Sequence, residues 1–281
     1  MPTRVCYTSD LHGDVQLYEQ LGDLLRAQRP NLVLLGGDLV RDVDRNAPVL
    51  PQVARMTQEF IHHVASWCAA DPQLTVACIA GNHEIVPVRD AFQDHHDRGD
   101  FVLLDPGRSW QYAGFAWLGY PCTPPSPHWA KDFERRDMPA DPAPAFEGVE
   151  WDAVAQDLRP VDLDEYFVRQ LVIAAELEQA IPAANPWILV AHGPPHDTNL
   201  DHLPHVPYPI GSRAVRRFIE QRQPYLALHG HVHESPQITG SYIDRLGGTL
   251  CIQPGQALGR LHAVLFDLDR PGETLRHTVF A

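Results

Sequence analysis

Residues 4–38 read RVCYTSDLHGDVQLYEQLGDLLRAQRPNLVLLGGD. Arg4 to Thr8 is a short apolar, β-prone run that stops at the polar cluster Ser9-Asp10-Leu11-His12-Gly13-Asp14. From Val15 to Gln28, residues Tyr18, Leu21, Leu24, Leu25 and Gln28 recur at the three-to-four spacing of an amphipathic helix, and Pro30 ends it. Asn31 to Leu35 is continuously apolar, as a strand buried on both faces must be, and it breaks at Gly36-Gly37-Asp38. Strand, helix, strand is the reading, with a polar cluster at each strand end.

The unit recurs downstream. Val53, Met56, Phe60, Val64 and Trp67 mark a second helix, and Leu74 to Ala80 a third apolar strand ending at Gly81-Asn82-His83-Glu84. Alternating strands and helices predict a largely parallel sheet, whose ligands bind beyond the carboxyl ends of its strands. Asp10, His12, Asp38, Asn82 and His83 all fall there. Phe101 to Leu104, and the pair Trp110 to Tyr112 and Phe115 to Tyr120, read as edge strands and a hairpin. Residues 121–161 are rich in proline, carry Trp129, Phe133, Phe146 and Trp151, and are longer than an ordinary connection. The aromatics favour a partly packed cover over disorder.

Leu163 to Ile181 reads as one helix with Phe167, Leu171 and Leu177 on one side, and Trp187 to Ala191 as a strand ending at His192-Gly193-Pro194-Pro195. A helix follows Gly211-Ser212, with Ser212 as its N-cap. The apolar run Pro224 to Leu228 leads into His229-Gly230-His231-Val232-His233, and the tail supplies three strands, Thr249 to Gln253, Leu261 to Phe266 and Thr274 to Phe280. With no internal repeat and no linker, the expectation is one domain over residues 1–281 with a proline-rich insertion at about 121–161.

Collected, the strand ends offer Asp10, His12, Asp38, Asn82, His192, His231 and His233. In a chain with 16 histidines a lone His-x-His is more often a solvated turn than a ligand pair; its weight comes from the other segments that end alike. The set is too large for one tetrahedral zinc and suits two metals sharing a carboxylate, about 3.5–4 Å apart.

In its blocks Asp10-Leu11-His12, Gly37-Asp38, Gly81-Asn82-His83-Glu84, His192 and Gly230-His231-Val232-His233, present in that order, the sequence closely resembles the calcineurin-like metallophosphoesterase superfamily. Ser9 to Gly13, His192 to Pro195 and His229 to His233 are most similar to its Icc-related branch. The resemblance implies an α/β fold, a four-layer α/β/β/α sandwich with two central mixed sheets; periodicity alone supports only the α/β class. It implies that Asp10, His12 and His233 hold one metal, that Asn82, His192 and His231 hold the second, and that Asp38 bridges them. Two divalent cations against two carboxylates leave a net charge of about +2, which attracts a phosphate. By the same resemblance a phosphodiester, such as a small or cyclic nucleotide, is hydrolysed by attack of a metal-activated hydroxide, with His83 protonating the leaving oxygen or stabilising the transition state.

One position departs from the pattern. Protein phosphatases of the superfamily place an Asp three residues after the metal-binding Asp, where it orients the catalytic His; here that place is Arg41, and the nearest acid is Asp42. Either Asp42 substitutes through a changed turn or His83 is oriented otherwise, and Arg41 reads as a surface cation more readily than as a phosphate contact. Glu84 reads as a hydrogen-bonding group behind the ligands and His229 as a supporting residue. His62, His63, His95 and His96 belong on exposed helical faces, and His196, His202 and His205 on a loop bordering the site.

The formal charge of −14 argues against a large nucleic-acid surface, since a polyanion would be repelled at long range. There is neither a signal-like N-terminus nor an uncharged run of the roughly 18 residues needed to cross a bilayer. Five cysteines without Cys-x-x-Cys spacing read as buried thiols in a reducing compartment, so the expected setting is cytoplasmic. The long cover from Pro121 to Val161 suggests a small phosphoester as partner rather than a protein surface. Mixed imidazole, carboxylate and amide ligands suit manganese, iron, zinc or nickel. A phosphomonoesterase or nucleotide pyrophosphatase is the alternative enzyme, and a binding scaffold on the same fold the non-enzyme alternative.

Overall fold

The strand, helix and strand expected at the start are β1 (Arg4–Thr8), α1 (Val15–Gln28) and β2 (Leu32–Gly36) in the computed structural model, which describes residues 2–142, 145–182 and 184–280. Asp14 caps α1, its carboxylate accepting from the backbone N–H of Gln16 at 2.8 Å. Next come α2 (Val49–Ala70), β3 (Thr75–Ile79), α3 (Val86–Arg98) and β4 (Val102–Leu103). The hairpin of β5 (Trp110–Tyr112) and β6 (Phe115–Tyr120) precedes the insertion, which carries its own hairpin, β7 (Gly148–Asp152) and β8 (Asp157–Val161). The second half runs α4 (Leu163–Arg169), α5 (Ile173–Gln179), β9 (Trp187–Ala191), α6 (Arg213–Arg222), β10 (Leu226–Leu228), α7 (Ser235–Thr239), β11 (Ile243–Leu246) and β12 (Thr249–Ile252). It ends with β13 (Val264–Asp267), α8 (Pro271–Thr274) and β14 (Arg276–His277).

Two six-stranded mixed sheets result, ordered β14-β13-β1-β2-β3-β4 and β11-β12-β10-β9-β6-β5. Strands β1 to β4 are mutually parallel in the first, and β12, β10, β9 and β6 in the second, with antiparallel strands only at the flanks. Because side chains alternate across a strand, each strand feeds two cores. Val5, Tyr7, Leu32, Leu34, Ala77 and Ile79 of the first sheet meet Trp117, Ile188, Val190, Leu226 and Leu228 of the second between the sheets. Cys6, Val33, Leu35, Val76 and Cys78 face the other way, against α1 to α3, while Leu118, Leu189, Ala191 and Ala227 face α5 and α6. The layers are therefore helix, sheet, sheet, helix. Each fully buried Leu, Ile or Val contributes about 1.5–3 kcal/mol, which is why the central strands read as unbroken apolar runs.

Three expectations change. Strand β6 lies inside the second sheet between β9 and β5, so of the three strands expected at edges β4 and β5 are edges and β6 is not. The single helix expected over Leu163 to Ile181 is two, α4 and α5, separated at Gln170–Val172. Leu163, Tyr166 and Phe167 form a small cluster of their own, Ile173 and Leu177 belong to the core under the second sheet, and Leu171 is exposed. No single stripe serves both cores, and the first N–H groups of α5 turn to the carbonyls of Arg136 and Asp137 in the insertion, at 2.9 and 3.2 Å. The insertion packs as expected for Trp129, Phe133 and Trp151, whereas Phe146 is exposed. Among the described residues, no helix is long and apolar enough to cross a membrane.

Candidate metal centre

Five loops, after β1, β2, β3, β9 and β10, meet at the carboxyl ends of parallel strands. Their turns are tight: Asp10, His12, Asp38 and His231 all have positive φ, at 58°, 46°, 54° and 68°. Each such non-glycine residue costs on the order of 1 kcal/mol and persists only where its surroundings fix it. Here they do. The β1–β2 ladder continues past both strands through Asp10 N–H to the Gly37 carbonyl, 3.0 Å, and His12 N–H to the Asp38 carbonyl, 2.8 Å. Glu84, buried, accepts from the backbone N–H groups of Asp38, Leu39, Val40 and Gly81 at 3.0, 2.7, 3.0 and 2.6 Å, so one carboxylate holds the β2 and β3 loops together. Gly81 is required by space: a Cβ there would lie 2.2 Å from Asp38 Oδ1 and 2.7 Å from His192 Nε2.

Asp38 lies at the meeting point. Its Oδ2 is 3.1 Å from His192 Nε2 and 3.9 Å from both His12 Nε2 and His83 Nε2. One donor atom each from Asp38, His192 and His231 falls within 4.8 Å of the others. Asn82 Oδ1 lies 3.2 Å from His192 Nε2, and its Nδ2, also buried, has no partner. Asp10 accepts from Ser9 Oγ at 2.5 Å and from His231 N–H at 2.9 Å, and the His12 ring meets that of His233 at 5.9 Å. Thus His231 joins Asp38 and His192, and His233 joins His12, so the two histidines of the last block face different neighbours.

His192 tests whether these donors suit a cation. Its Nδ1–H donates to the Gly36 carbonyl at 2.8 Å, which turns Nε2 towards Asp38 Oδ2 and Asn82 Oδ1. A nitrogen lone pair facing two oxygens is stable only with a proton or a cation among them. Burial opposes the proton, yet the Asp38 carboxylate overrides it and raises His192 to about 9. Burial would also raise Asp38, but His192, His83 and His12 hold its carboxyl well below the usual range. Burial and the neighbouring His192 push His231 down to about 3, leaving the neutral imidazole that a metal needs. The residues fit a divalent metal.

A model of the calcineurin-like phosphoesterase family matches residues 3–235. The chain belongs to that family. Its members are metal-dependent hydrolases of phosphate esters, and the calcineurin-like chain described here carries the aspartate and histidine groups such chemistry uses. Among solved structures, one is similar at 14% identity over 100% of both chains, with a TM-score of 0.64. A protein from Thermus thermophilus is 16% identical over 99% of this chain and 98% of its own, with a TM-score of 0.56. A dimetal phosphatase from Danio rerio is 10% identical over 94% and 93%, with a TM-score of 0.51. Among curated proteins, none matches significantly.

The sequence leaves open what orients His83, and the geometry answers: its Nδ1–H donates to Asp42 Oδ1 at 2.9 Å. Burial works against its proton, but Asp38 and then Asp42 raise it to about 9. Arg41 points elsewhere and pairs with Glu59 at 2.6 Å on the surface. His229 is fully buried and donates from Nδ1 towards the carbonyls of Ala191 and Gly193, at 3.1 and 3.2 Å, tying the β10 end to the β9 end. His62 is exposed, but His63 is half-buried and stacked on Tyr18 at 4.6 Å, and His95 and His96 are half-buried too. Of the later loop, His202 N–H bonds to Ser235 Oγ at 3.0 Å, two residues beyond His233; none of His196, His202 and His205 is among the groups around Asp38.

Sequence reasoning missed His128. The insertion lays its ring on His83, centroids 3.8 Å apart. Its only signal was a histidine beside Trp129 in a segment already read as a cover.

Proposed function

We propose that the chain hydrolyses a phosphodiester at this centre, with Asp10, His12 and His233 holding one divalent cation, Asn82, His192 and His231 a second, and Asp38 shared. The observation that carries this reading is the Asp38 carboxylate, buried where imidazoles from four different loops converge. Bound there, the cations would neutralise phosphate charge and lower the pKa of coordinated water. His83, oriented through Nδ1 by Asp42, presents Nε2 to the same space and is placed to give its proton to the leaving oxygen. Glu84 keeps the Asp38 and Gly81 backbones fixed while this happens. The donor set suits manganese, iron, zinc or nickel.

We read residues 1–281 as one domain, because both sheets contribute to one shared core. Five free thiols, four of them buried, support a cytoplasmic setting. The net charge of −14 supports a small phosphoester rather than nucleic acid as partner.

Metal analysis after saturation with manganese, followed by parallel assays on bis-p-nitrophenyl phosphate and p-nitrophenyl phosphate, tests the reading. Two metals per chain and faster diester hydrolysis are expected. A monoester preference would replace it with the phosphomonoesterase alternative, and fewer than one metal per chain would remove the dinuclear centre. His83→Ala should keep both metals and lose about 10²–10⁴-fold in turnover.

A further inference from the structure

We propose that His128, carried by the insertion, positions His83 by clamping its ring, which makes the insertion part of the catalytic apparatus and not only a cover. The proposal rests on the reading of His83 given above. A single hydrogen bond from Nδ1 to Asp42 leaves the imidazole free to rock, and Asp42 is itself substantially exposed. Two rings remove that freedom. His128 covers the face of His83 at 3.8 Å between centroids with a tilt of 31°, and His12 meets it edge-on at 4.7 Å and 72°.

His128 offers a face rather than a hydrogen bond. Its buried Nε2 has no partner, and the nearest carboxylate oxygen, Asp42 Oδ1, is 3.9 Å away. One donor atom each from Asp42, His83 and His128 lies within 4.8 Å of the others, so retention of the same metal content in His128→Ala also separates a clamp from a ligand.

The turn that presents His128 is built rigidly. His128 N–H donates to Ser126 Oγ at 3.2 Å, and the His128 carbonyl accepts from Lys131 Nζ. Lys131 also donates to the Ser126 carbonyl at 2.8 Å and pairs with Glu134 Oε2 at 2.7 Å, while Ser126 Oγ donates to Glu134 Oε1 at 2.5 Å. Both charged residues are fully buried, an arrangement that seldom adds net stability and is more readily understood as fixing a geometry. Gly148 leaves room for the Lys131 stem, whose Cγ would be 2.6 Å from a Cβ at that position. Every side-chain bond of this buried pair ends on the Ser126–His128 turn or within the pair.

The test compares His128→Ala and His128→Phe in the full chain, each alone and with His83→Ala. In metal-free protein carrying 13C-labelled histidine, NMR relaxation should show the His83 ring as rigid as the backbone in the native chain, mobile in His128→Ala, and rigid again in His128→Phe. After manganese loading, His128→Ala should lower kcat on diesters about 10–100-fold with KM and metal content unchanged. The loss should grow with the pKa of the leaving group and vanish in the His83→Ala background. An unchanged His83 ring in His128→Ala, or an equal kcat loss with and without His83, would overturn the clamp. Should the native chain hydrolyse no ester, the proposed function fails, and the ring measurement still decides the clamp.

Discussion

At the scale of single residues the centre divides by neighbour. His231 faces Asp38 and His192, and His233 faces His12. His231→Ala should therefore weaken the cation held with Asn82 and His192, and His233→Ala the one held with Asp10 and His12. Metal titration of each variant by mass spectrometry distinguishes the two losses, and loss of the same single ion in both would contradict the division. Asp42→Asn removes the carboxylate that orients His83 while keeping an amide oxygen near its place; kcat should fall about 10–100-fold with both metals retained. The polar side chains and the loops that bring them together were legible in the sequence because polar clusters punctuate apolar strands. The orienting acid was not, because whether position 41 or 42 reaches His83 depends on the path of one turn. His128 was not legible either, since nothing local in a proline-rich insertion says which strand end it will fold over.

At the scale of elements, the central strands and the helices α1, α2 and α6 announced themselves in the sequence, whereas α3, the hairpin β7–β8, the break between α4 and α5, and α7, α8 and β11 did not. The stretch Leu163 to Gln179 keeps an approximate helical spacing throughout, so its interruption is decided by packing against two separate cores and by insertion carbonyls that take up the first N–H groups of α5. The insertion itself depends on the Lys131–Glu134 pair. Burial tends to raise the Glu134 pKa, and Lys131 and Ser126 oppose that rise, so the carboxylate and its cation are mutually dependent. Glu134→Ala would leave Lys131 buried without its counter-charge and should destabilise the chain by about 3–5 kcal/mol, read as a shift in urea midpoint. Lys131→Met with Glu134→Gln should be much milder, because no net charge is then left in the core.

At the scale of the whole molecule, the donors come from both sheets: Asp10, His12, Asp38 and Asn82 from loops of the first, His192, His231 and His233 from loops of the second. A cation bound among them stabilises the folded chain and not the unfolded one. At a free concentration about 100 times its Kd it adds about 2.7 kcal/mol per site. Chelation with EDTA should lower Tm in calorimetry and added manganese should restore it; a Tm indifferent to both would count against metal binding across the sheets. The four-layer order was available from the sequence only through the resemblance, because apolar runs show that a strand is covered on both faces but not what covers it.

The His192 bond to the Gly36 carbonyl crosses from the second sheet to the first, as do Tyr7 Oη to the His229 carbonyl, 2.8 Å, and His231 N–H to Asp10. The centre therefore acts as a vernier on the sandwich. A slip of one sheet over the other by a fraction of an ångström leaves the apolar layer nearly as well buried, yet it separates donors that belong to opposite sides. Trimming the filling between the sheets, as in Ile188→Val, should accordingly be felt first as weakened manganese affinity in a chain that still folds, turning the metal into a gauge of alignment deep in the core.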